Sequence, residues 1–417
     1  MKKNIQLVSY ASIAIYTIGI LFTTIVIWRN TLQTPYSLNW NGWAYYEWLI
    51  NYEGGFVRRG LVGSFINEFY YGKEVVAVNT LVFISAFLFT LLATLLVASN
   101  LMVPRSALLF VFCPVGLYWA AIGNEYYYRK EIFFYIVMLS VCLIFQRWQR
   151  CGNRYLAQLL VGLIFLSSIF LPLVHEAFIF YSLLLFALIL FKIYQSTSMS
   201  ERKVVLLYSL FCSLLFAILS YFKGDVGVSQ SIWLSLSDSA RDLSGSLEPA
   251  GGISAIGWSL AKGLNLSVVA LLSGLASYYL FPIFLIYLFI GYMVSETREL
   301  RLPEAYFSKE LFLPYCLVII SFIPLFVLGW DWGRWVMGIW YVSLCIFLLR
   351  LDAQIIQFLS NEVSSVKKLA GILAFPTLLF LGIVTRVPEC CISGSGSSFL
   401  YNPALEPIKD FLRDSLK

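Results

Sequence analysis

The fold is decided by long uncharged stretches, of which residues 75–99 are the clearest: VVAVNTLVFISAFLFTLLATLLVAS. A helix of about 20 apolar residues crosses the roughly 30 Å hydrocarbon core of a bilayer, and this stretch exceeds that length without a charged side chain. In the chain of 417 residues, 60% are hydrophobic and only 12% are charged, which lies outside the range of soluble domains. The sequence therefore predicts an all-α polytopic membrane protein.

Further apolar runs predict additional membrane-spanning helices and bring the total to about eleven. These runs lie at about 7–28, 106–122, 132–146, 156–173, 177–193, 204–222, 270–294, 311–328, 335–349 and 369–385. The first run follows two lysines, but it is too long for a signal-peptide core and no small-residue cleavage site follows it. We therefore interpret it as a retained span.

The distribution of basic residues predicts the orientation in the membrane. Lysine and arginine are denser in the segments predicted to lie on the same side of the membrane as the N-terminus, which include Lys2, Arg147 and Arg202. Because cytoplasmic segments carry an excess of basic residues, the N-terminus is predicted to be cytoplasmic and the C-terminus periplasmic. The whole chain, 1–417, is predicted to form a single integral membrane domain.

Three long segments fall on the outer side of this predicted topology. Residues 29–74 form an outer loop rich in tryptophan and tyrosine, a composition typical of interfacial helices in the headgroup region. Residues 223–265 form a second outer loop that contains many serines and resembles a mobile lid. Residues 386–417 are predicted to form a periplasmic C-terminal tail. We therefore expect the function to lie at the outer face.

The first outer loop contains the most unusual polar stretch, residues 51–63, NYEGGFVRRGLVG. Its glycines allow tight turns and close backbone approach. The adjacent guanidinium groups of Arg58 and Arg59 offer planar forks of donors that fit phosphate or carboxylate oxygens. The stretch predicts a site for an anionic ligand. The alternative is an interfacial turn whose arginines pair with Glu53 and with lipid headgroups.

Three other outer segments also place charged groups or a histidine at helix ends. They are EYYYRKE at 125–131, the pair His175 and Glu176, and WDWGRW at 330–335. Ionisable groups near the membrane boundary are costly unless they are paired or hydrated, which makes them functional candidates. We expect the four segments to share one cavity. The alternatives are structural: a histidine bonded to a carbonyl, a Glu176–arginine pair, an i,i+3 pair between Asp331 and Arg334, and basic residues at a membrane boundary.

This set of residues suits transfer from a lipid-linked phosphate or diphosphate, because such a reaction needs cations for the leaving group and a base for the acceptor hydroxyl. The candidate catalytic residues are His175, Glu176, Asp331 and Glu53. The candidate diphosphate-binding residues are Arg58, Arg59, Arg129, Lys130 and Arg334. The candidate sugar-binding residues are Trp330, Trp332 and Tyr127. No metal or cofactor is predicted, because arginines can stabilise the leaving group and the eight cysteines lack ligand spacing.

The motifs GFVRRGL at 55–61, RKE at 129–131, His175-Glu176 and DWGR at 331–334 resemble those of a known family. The family is the bacterial O-antigen (oligosaccharide repeat-unit) polymerases and, more broadly, the GT-C-type membrane glycosyltransferases. The resemblance implies metal-independent polymerisation of repeat units linked to undecaprenyl diphosphate, a polyprenyl carrier, into surface polysaccharide such as lipopolysaccharide. It places this activity at the periplasmic face of the bacterial inner membrane. The implied partners are a lipid-linked oligosaccharide substrate, membrane lipid and a chain-length regulator protein, with no nucleic acid.

Three other functions remain open from the sequence. One is a membrane acyltransferase, although its histidine would more naturally face the side that supplies an acyl thioester. A GT-C-type transferase that moves one sugar from a polyprenyl monophosphate would use similar residues, and an acidic residue early in the first outer loop, Glu47 or Glu53, favours it. A lipid-linked oligosaccharide flippase is the non-enzymatic alternative, although transporters usually place charges in the middle of their spans. The outer loop at 223–265 is also smaller than the periplasmic loops of many O-antigen polymerases.

Overall fold

The computed structural model describes residues 2–33, 42–101, 103–117, 127–195, 201–272, 275–297, 309–329, 331–351 and 371–384. Helices and turns make up these ranges, and they contain no β-strand. Two of the expectations above, the sugar-binding role of Trp330 and the tail at 386–417, concern residues outside the described ranges.

The helices are numbered here in chain order. They are α1 (Lys2–Gln33), α2 (Gly42–Trp48), α3 (Gly60–Tyr70), α4 (Glu74–Ala98), α5 (Pro104–Phe112), α6 (Ile132–Cys151), α7 (Arg154–Val174), α8 (Phe178–Tyr194), α9 (Glu201–Tyr221), α10 (Val226–Ser235), α11 (Asp238–Asp242), α12 (Gly251–Ile256), α13 (Leu260–Leu272), α14 (Leu275–Thr297), α15 (Lys309–Leu328), α16 (Trp332–Leu348) and α17 (Gly371–Val384).

Six helices in the described part of the chain are long and apolar enough to cross a membrane. Their spans are Tyr10–Arg29, Glu74–Ala98, Ile132–Cys151, Arg154–Val174, Glu201–Tyr221 and Tyr279–Glu296. Three shorter apolar helices cover Phe178–Tyr194, Leu311–Val327 and Trp332–Leu348. On α9, an exposed leucine stripe that includes Leu206, Leu210 and Leu214 would be hidden from water only by lipid. The prediction of an all-α polytopic membrane protein is confirmed, and the count of eleven spans stays a prediction.

The described part of the run at 106–122, residues 106–117, is not one continuous helix, although its hydropathy predicts a long span. Pro104 occupies the start of α5, where its missing N–H costs nothing, and the helix ends at Phe112. Residues 113–116 form a turn, and a Cβ on Gly116 would lie 2.6 Å from the carbonyl oxygen of Phe110. At 1.5 Å per residue, the nine residues of α5 rise only about 14 Å, which is too short to cross the bilayer.

The core is organised around α16, in which every residue from Trp332 to Phe347 is buried. This helix packs against α8, α14 and α15, and aromatic rings fill the contacts. A Cβ on Gly338 would overlap the rings of Phe322 and Tyr181, so glycine permits the close approach of three helices here. Because α16 is central, its first turn places the motif at 331–334 inside the bundle.

The outer segments fold onto the helix bundle as a compact layer. Tyr45, Tyr46 and Trp48 of α2 are buried, whereas their composition suggested a helix in the headgroup region. The Trp48 indole donates a 2.6 Å hydrogen bond to the Tyr128 carbonyl. Aromatic residues therefore join the first outer loop to the segment that begins α6.

The second outer loop is helical and docked, where the sequence suggested a mobile lid. It contains α10, α11 and α12, and α12 packs on α2. The buried carboxylate of Glu74 accepts hydrogen bonds from the backbone N–H and the hydroxyl of Ser237, at 3.2 and 2.8 Å. A Cβ on Gly252 would lie 2.8 Å from the Glu47 backbone, so the loop presses directly against Glu47. The loop thereby closes one side of the polar region around Glu47.

Candidate active site

The four polar segments singled out from the sequence meet at one end of the bundle. The loop between α2 and α3, the turn before α6, the α7–α8 junction and the start of α16 all contribute. Together with Glu47 of α2 they form a connected set of ion pairs, which we call the charged cluster. Its members are Glu47, Arg58, Arg59, Arg129, Glu131, His175, Glu176, Asp331 and Arg334.

Arg59 and Glu176 form the strongest pair in the cluster. Arg59 Nε and Nη2 donate to the two oxygens of Glu176 at 2.8 and 2.6 Å, a bidentate arrangement. Arg59 Nη1 also donates to Glu47 Oε1 at 3.1 Å. Burial lowers the pKa of Arg59, but Glu176 and Glu47 outweigh it and raise the pKa above its ordinary value. Arg59 therefore remains a cation under all physiological conditions.

The backbone of Arg59 is in an unfavourable conformation, with φ of 72° in the left-handed region. Such a conformation costs a non-glycine residue on the order of 1 kcal/mol or more and persists only when its surroundings hold it. Lys130 provides one such contact, because its Nζ donates a 2.8 Å hydrogen bond to the Arg59 carbonyl. Lys130 is fully buried, and burial lowers its pKa to about 7. Lys130, a predicted diphosphate-binding residue, thus contacts the backbone of Arg59 in this structure.

Glu47 is the central acid of the cluster and is almost completely buried. Its oxygens lie 3.1 Å from Arg129 Nη1, 3.2 Å from His175 Nε2 and 3.9 Å from Arg334 Nη1, in addition to the contact with Arg59. Burial alone would raise the pKa of Glu47, but His175 and the surrounding guanidiniums outweigh burial and hold the pKa well below its usual value. Glu47 is therefore ionised at neutral pH.

His175 is buried between acidic side chains. Its Nδ1 accepts a 3.2 Å hydrogen bond from the backbone N–H of Ala177, so the proton of the neutral ring lies on Nε2. Nε2 lies 3.2 Å from Glu47 and 3.7 Å from Glu131. Within the described chain Nε2 has no hydrogen-bond partner, so the ring lies against these two acids without a hydrogen bond to either.

Arg334 joins the cluster to the central helix. It pairs with Glu131 across 203 residues of sequence and with Asp331 one helical turn away. Its own carbonyl accepts a 3.1 Å hydrogen bond from the Tyr181 hydroxyl. The i,i+3 pair that the sequence offered as a structural alternative is therefore present, and Arg334 also bonds to a second acid.

Two of the candidate sugar-binding aromatics are buried in packing contacts. Trp332 packs edge-on against Tyr279 and Phe326, and its indole donates a 2.8 Å hydrogen bond to the Gly329 carbonyl. Tyr127 is fully buried and packs against Phe89. Tyr127 is thus enclosed by protein, whereas Trp332 lines an apolar cavity of about 330 Å³ together with Tyr279 and Phe326.

Glu53, a candidate base, lies apart from the cluster. It accepts a long hydrogen bond, 3.4 Å, from Asn67 at the exposed rim. Glu47, and not Glu53, is the acid of this segment that lies in the charged cluster. The sequence did contain a signal for Glu47, because an acid inside the aromatic run YYEW is expected to be buried with partners. Glu131, which sequence reasoning left without a role, is the partner of Arg334.

Access to the cluster is limited to one side. The side chains of Arg58 and Arg59 are 30% and 21% exposed, whereas those of Arg129 and Arg334 are at most 7% exposed. Arg58 Nη1 lies 3.1 Å from Glu176 Oε1, and within the described chain its Nε has no hydrogen-bond acceptor. Glu176 raises the pKa of Arg58, but burial and the charge of Arg59 together outweigh Glu176, so the pKa lies below its ordinary value. Arg58 thus has the most exposed guanidinium of the cluster.

Among the described residues, no group of three or more histidine, cysteine or acidic side chains is arranged to hold a metal ion. Comparison of the chain with known protein families, with curated proteins and with solved structures finds no match. The geometry of the charged cluster is therefore the basis for the function proposed below.

Proposed function

We propose that this protein is a membrane glycosyltransferase that polymerises polyprenyl-diphosphate-linked oligosaccharide repeat units at the periplasmic face of a bacterial inner membrane. In this proposal the chain has about eleven spans in a GT-C-like arrangement, with the N-terminus in the cytoplasm. The observation that carries the proposal is the Arg58–Arg59–Glu176 group, in which a carboxylate bridges two partly exposed guanidiniums.

The two arginines suit a diphosphate leaving group. Glu176 Oε1 lies 3.1 Å from Arg58 and 2.6 Å from Arg59, so its oxygen occupies the position that a phosphate oxygen would take between two forks of donors. A diphosphate that binds Arg58 would replace one contact of Glu176. Negative charge that develops on the leaving group would then be stabilised by cations that are already in place.

Glu176 suits the role of base for the acceptor hydroxyl. In the unliganded cluster, burial raises its pKa, but Arg58 and Arg59 outweigh burial and hold the pKa well below the usual value. A carboxylate with such a low pKa is a weak base. Transfer of Arg58 to a diphosphate removes one of the two cations, which raises the proton affinity of Glu176 when the donor is bound. The base would thus become active only when its leaving group is in position.

The other members of the cluster would hold this pair in place. Glu47 fixes Arg59 from the buried side, and His175 Nε2 lies 3.2 Å from Glu47. Arg334 holds Glu131 beside the same histidine. The implied partners remain a lipid-linked oligosaccharide, membrane lipid and a chain-length regulator protein.

The test is the surface-polysaccharide profile of a strain that lacks this protein, complemented with variants. Wild type is expected to restore a ladder of polymer, and Arg58→Gln is expected to leave mostly single-repeat bands at equal protein level. Arg241→Gln is the control, because Arg241 lies in the second outer loop and pairs with the exposed Asp238. A full ladder with Arg58→Gln would refute the assignment of the diphosphate site.

The alternative transferase, which moves a single sugar from a polyprenyl monophosphate, has one observation in its favour. Glu47, an acid early in the first outer loop, lies inside the cluster. This function predicts that deletion of the protein leaves a ladder with altered mobility. Loss of even the single-repeat band would instead support a lipid-linked oligosaccharide flippase.

A further inference from the structure

Helix α3 carries an exposed aromatic stripe that lies outside the charged cluster. Phe65 and Phe69, four residues apart and therefore on one face, are both exposed, and their ring centres lie 4.8 Å apart. The opposite face, with Gly60, Gly63 and Ile66, is buried. At 11 residues the helix is too short to span a bilayer. A short helix with one large aromatic face is typical of a segment that lies in the membrane interface.

The aromatic stripe of α3 continues a surface that already faces lipid. Helix α3 packs against α4 and α7, both of which are long and apolar enough to cross the membrane. Near the same end of α7, Leu166, Ile169 and Phe170 are exposed. Because α4 and α7 would be in the bilayer, the exposed stripe of a helix that packs against both has lipid as its partner.

A second group of exposed aromatics surrounds Arg58. Phe56 and Phe222 are both exposed and meet edge to face, with ring centres 5.0 Å apart. Tyr221, at the end of the membrane-crossing helix α9, packs edge-on against Phe222. The Arg58 N–H donates a 3.0 Å hydrogen bond to the Phe222 carbonyl, which fixes the arginine beside these rings. Phenylalanine, tyrosine and arginine in such proximity are typical of the headgroup level of a membrane.

We propose that α3 lies in the lipid–water interface and that the phosphate of a membrane lipid reaches Arg58 laterally, past Phe56 and Phe222, without leaving the bilayer. The inference rests on the proposed function and specifies its substrate class: a phosphate on a lipid carrier, delivered along the membrane surface. Two observations combine here. The helix that carries the aromatic stripe begins immediately after Arg59, and Arg58, whose guanidinium is partly exposed, is joined by its backbone to the exposed Phe222.

Photo-cross-linking tests the position of both surfaces. The photoreactive p-benzoylphenylalanine replaces Phe69, Phe56 or Leu247 in separate variants of the full-length protein. Leu247 is the control because it is 94% exposed in the second outer loop, away from α3. The variants are irradiated in nanodiscs of phosphatidylcholine that contain a few per cent of undecaprenyl phosphate, and adducts are identified by mass. Positions 69 and 56 are expected to form lipid adducts, and position 247 is not.

Charge recognition is tested by the composition of the adducts. Position 69 should capture both lipids in proportion to their abundance, whereas position 56 should enrich undecaprenyl phosphate by roughly tenfold or more, since a guanidinium–phosphate contact is charge-assisted. Arg58→Gln should abolish that enrichment at position 56 and leave position 69 unchanged. Absence of lipid adducts at positions 69 and 56, equal labelling at position 247, or enrichment that survives Arg58→Gln would overturn the inference.

The assay separates the inference from the proposed function because it requires no sugar transfer. Enrichment that depends on Arg58, in a protein that makes no polymer, would leave the inference standing and refute polymerisation. Normal polymerisation by a protein that shows no lipid adducts at either aromatic position would refute only the lateral route.

Discussion

Substitution of Glu47 by glutamine gives the sharpest test of the charged cluster. The change keeps the shape of the side chain and removes one negative charge. In the wild type that charge lies 3.1 Å from both Arg59 Nη1 and Arg129 Nη1. Without it, buried guanidinium groups are left with too little negative charge around them. Glu53→Gln is the matched control, because Glu53 lies in the same outer loop and has only a 3.4 Å contact with Asn67 at the rim.

The expected magnitude follows from burial. Breaking a buried ion pair by removal of one partner costs about 3–5 kcal/mol, whereas a change at an exposed site away from such features costs about 0.5 kcal/mol or less. With an unfolding entropy of roughly 2.1 cal/mol/K per residue, a chain of 417 residues loses about 1 °C of Tm per kcal/mol. Glu47→Gln should therefore lower Tm by about 3–5 °C, and Glu53→Gln should leave it within about 1 °C.

Thermal unfolding of the purified proteins in one detergent at pH 7 measures both values. A double variant, Glu47→Gln with Arg129→Gln, tests the cause. If the loss comes from uncompensated positive charge, the double variant should be more stable than the sum of the single effects predicts, by about 0.5–3 kcal/mol. Equal Tm values for Glu47→Gln and wild type, or strict additivity in the double variant, would refute the electrostatic account of Glu47.

Three further predictions concern titration, packing and topology. Between pH 7 and 10.5 Lys130 is protonated more in the unfolded chain than in the folded protein, so its contribution to the free energy of unfolding increases as pH rises. The Tm of wild type minus that of Lys130→Met should therefore increase from pH 7 to pH 10. A constant difference would contradict the lowered pKa. Gly63→Ala should prevent normal folding because the new Cβ would overlap the carbonyl oxygen of Ile50. Gly162→Ala, with open space around it in α7, should be neutral or stabilising by up to about 1 kcal/mol. Unfolding of both variants in detergent measures the difference. In a cysteine-free background, Leu247→Cys should react with an impermeant thiol reagent in intact cells, and Tyr155→Cys only after permeabilisation; the reverse pattern would invert the predicted topology.

The chemistry of the candidate site was visible in the sequence, but the pairing of its residues was not. Adjacent arginines, a histidine beside a glutamate and an acid three residues before an arginine are local patterns at helix ends. Which carboxylate meets which guanidinium depends on segments far apart in the chain: Arg59 meets Glu176 across 117 residues. For this reason the sequence favoured Glu53 as a catalytic acid, and the structure places Glu47 in the cluster.

The sequence by itself determined that the chain is an all-helical membrane protein, because crossing a bilayer requires only a local property, about 20 apolar residues in a row. Hydropathy could not show that α5 ends at Phe112, since that ending depends on how residues 113–116 turn and pack. Nor could it show that Lys130 supports the Arg59 backbone or that α3 exposes its aromatic face. Burial, ion pairing and exposure are set by neighbours that only tertiary packing supplies, and those neighbours decide which of many polar residues form the site.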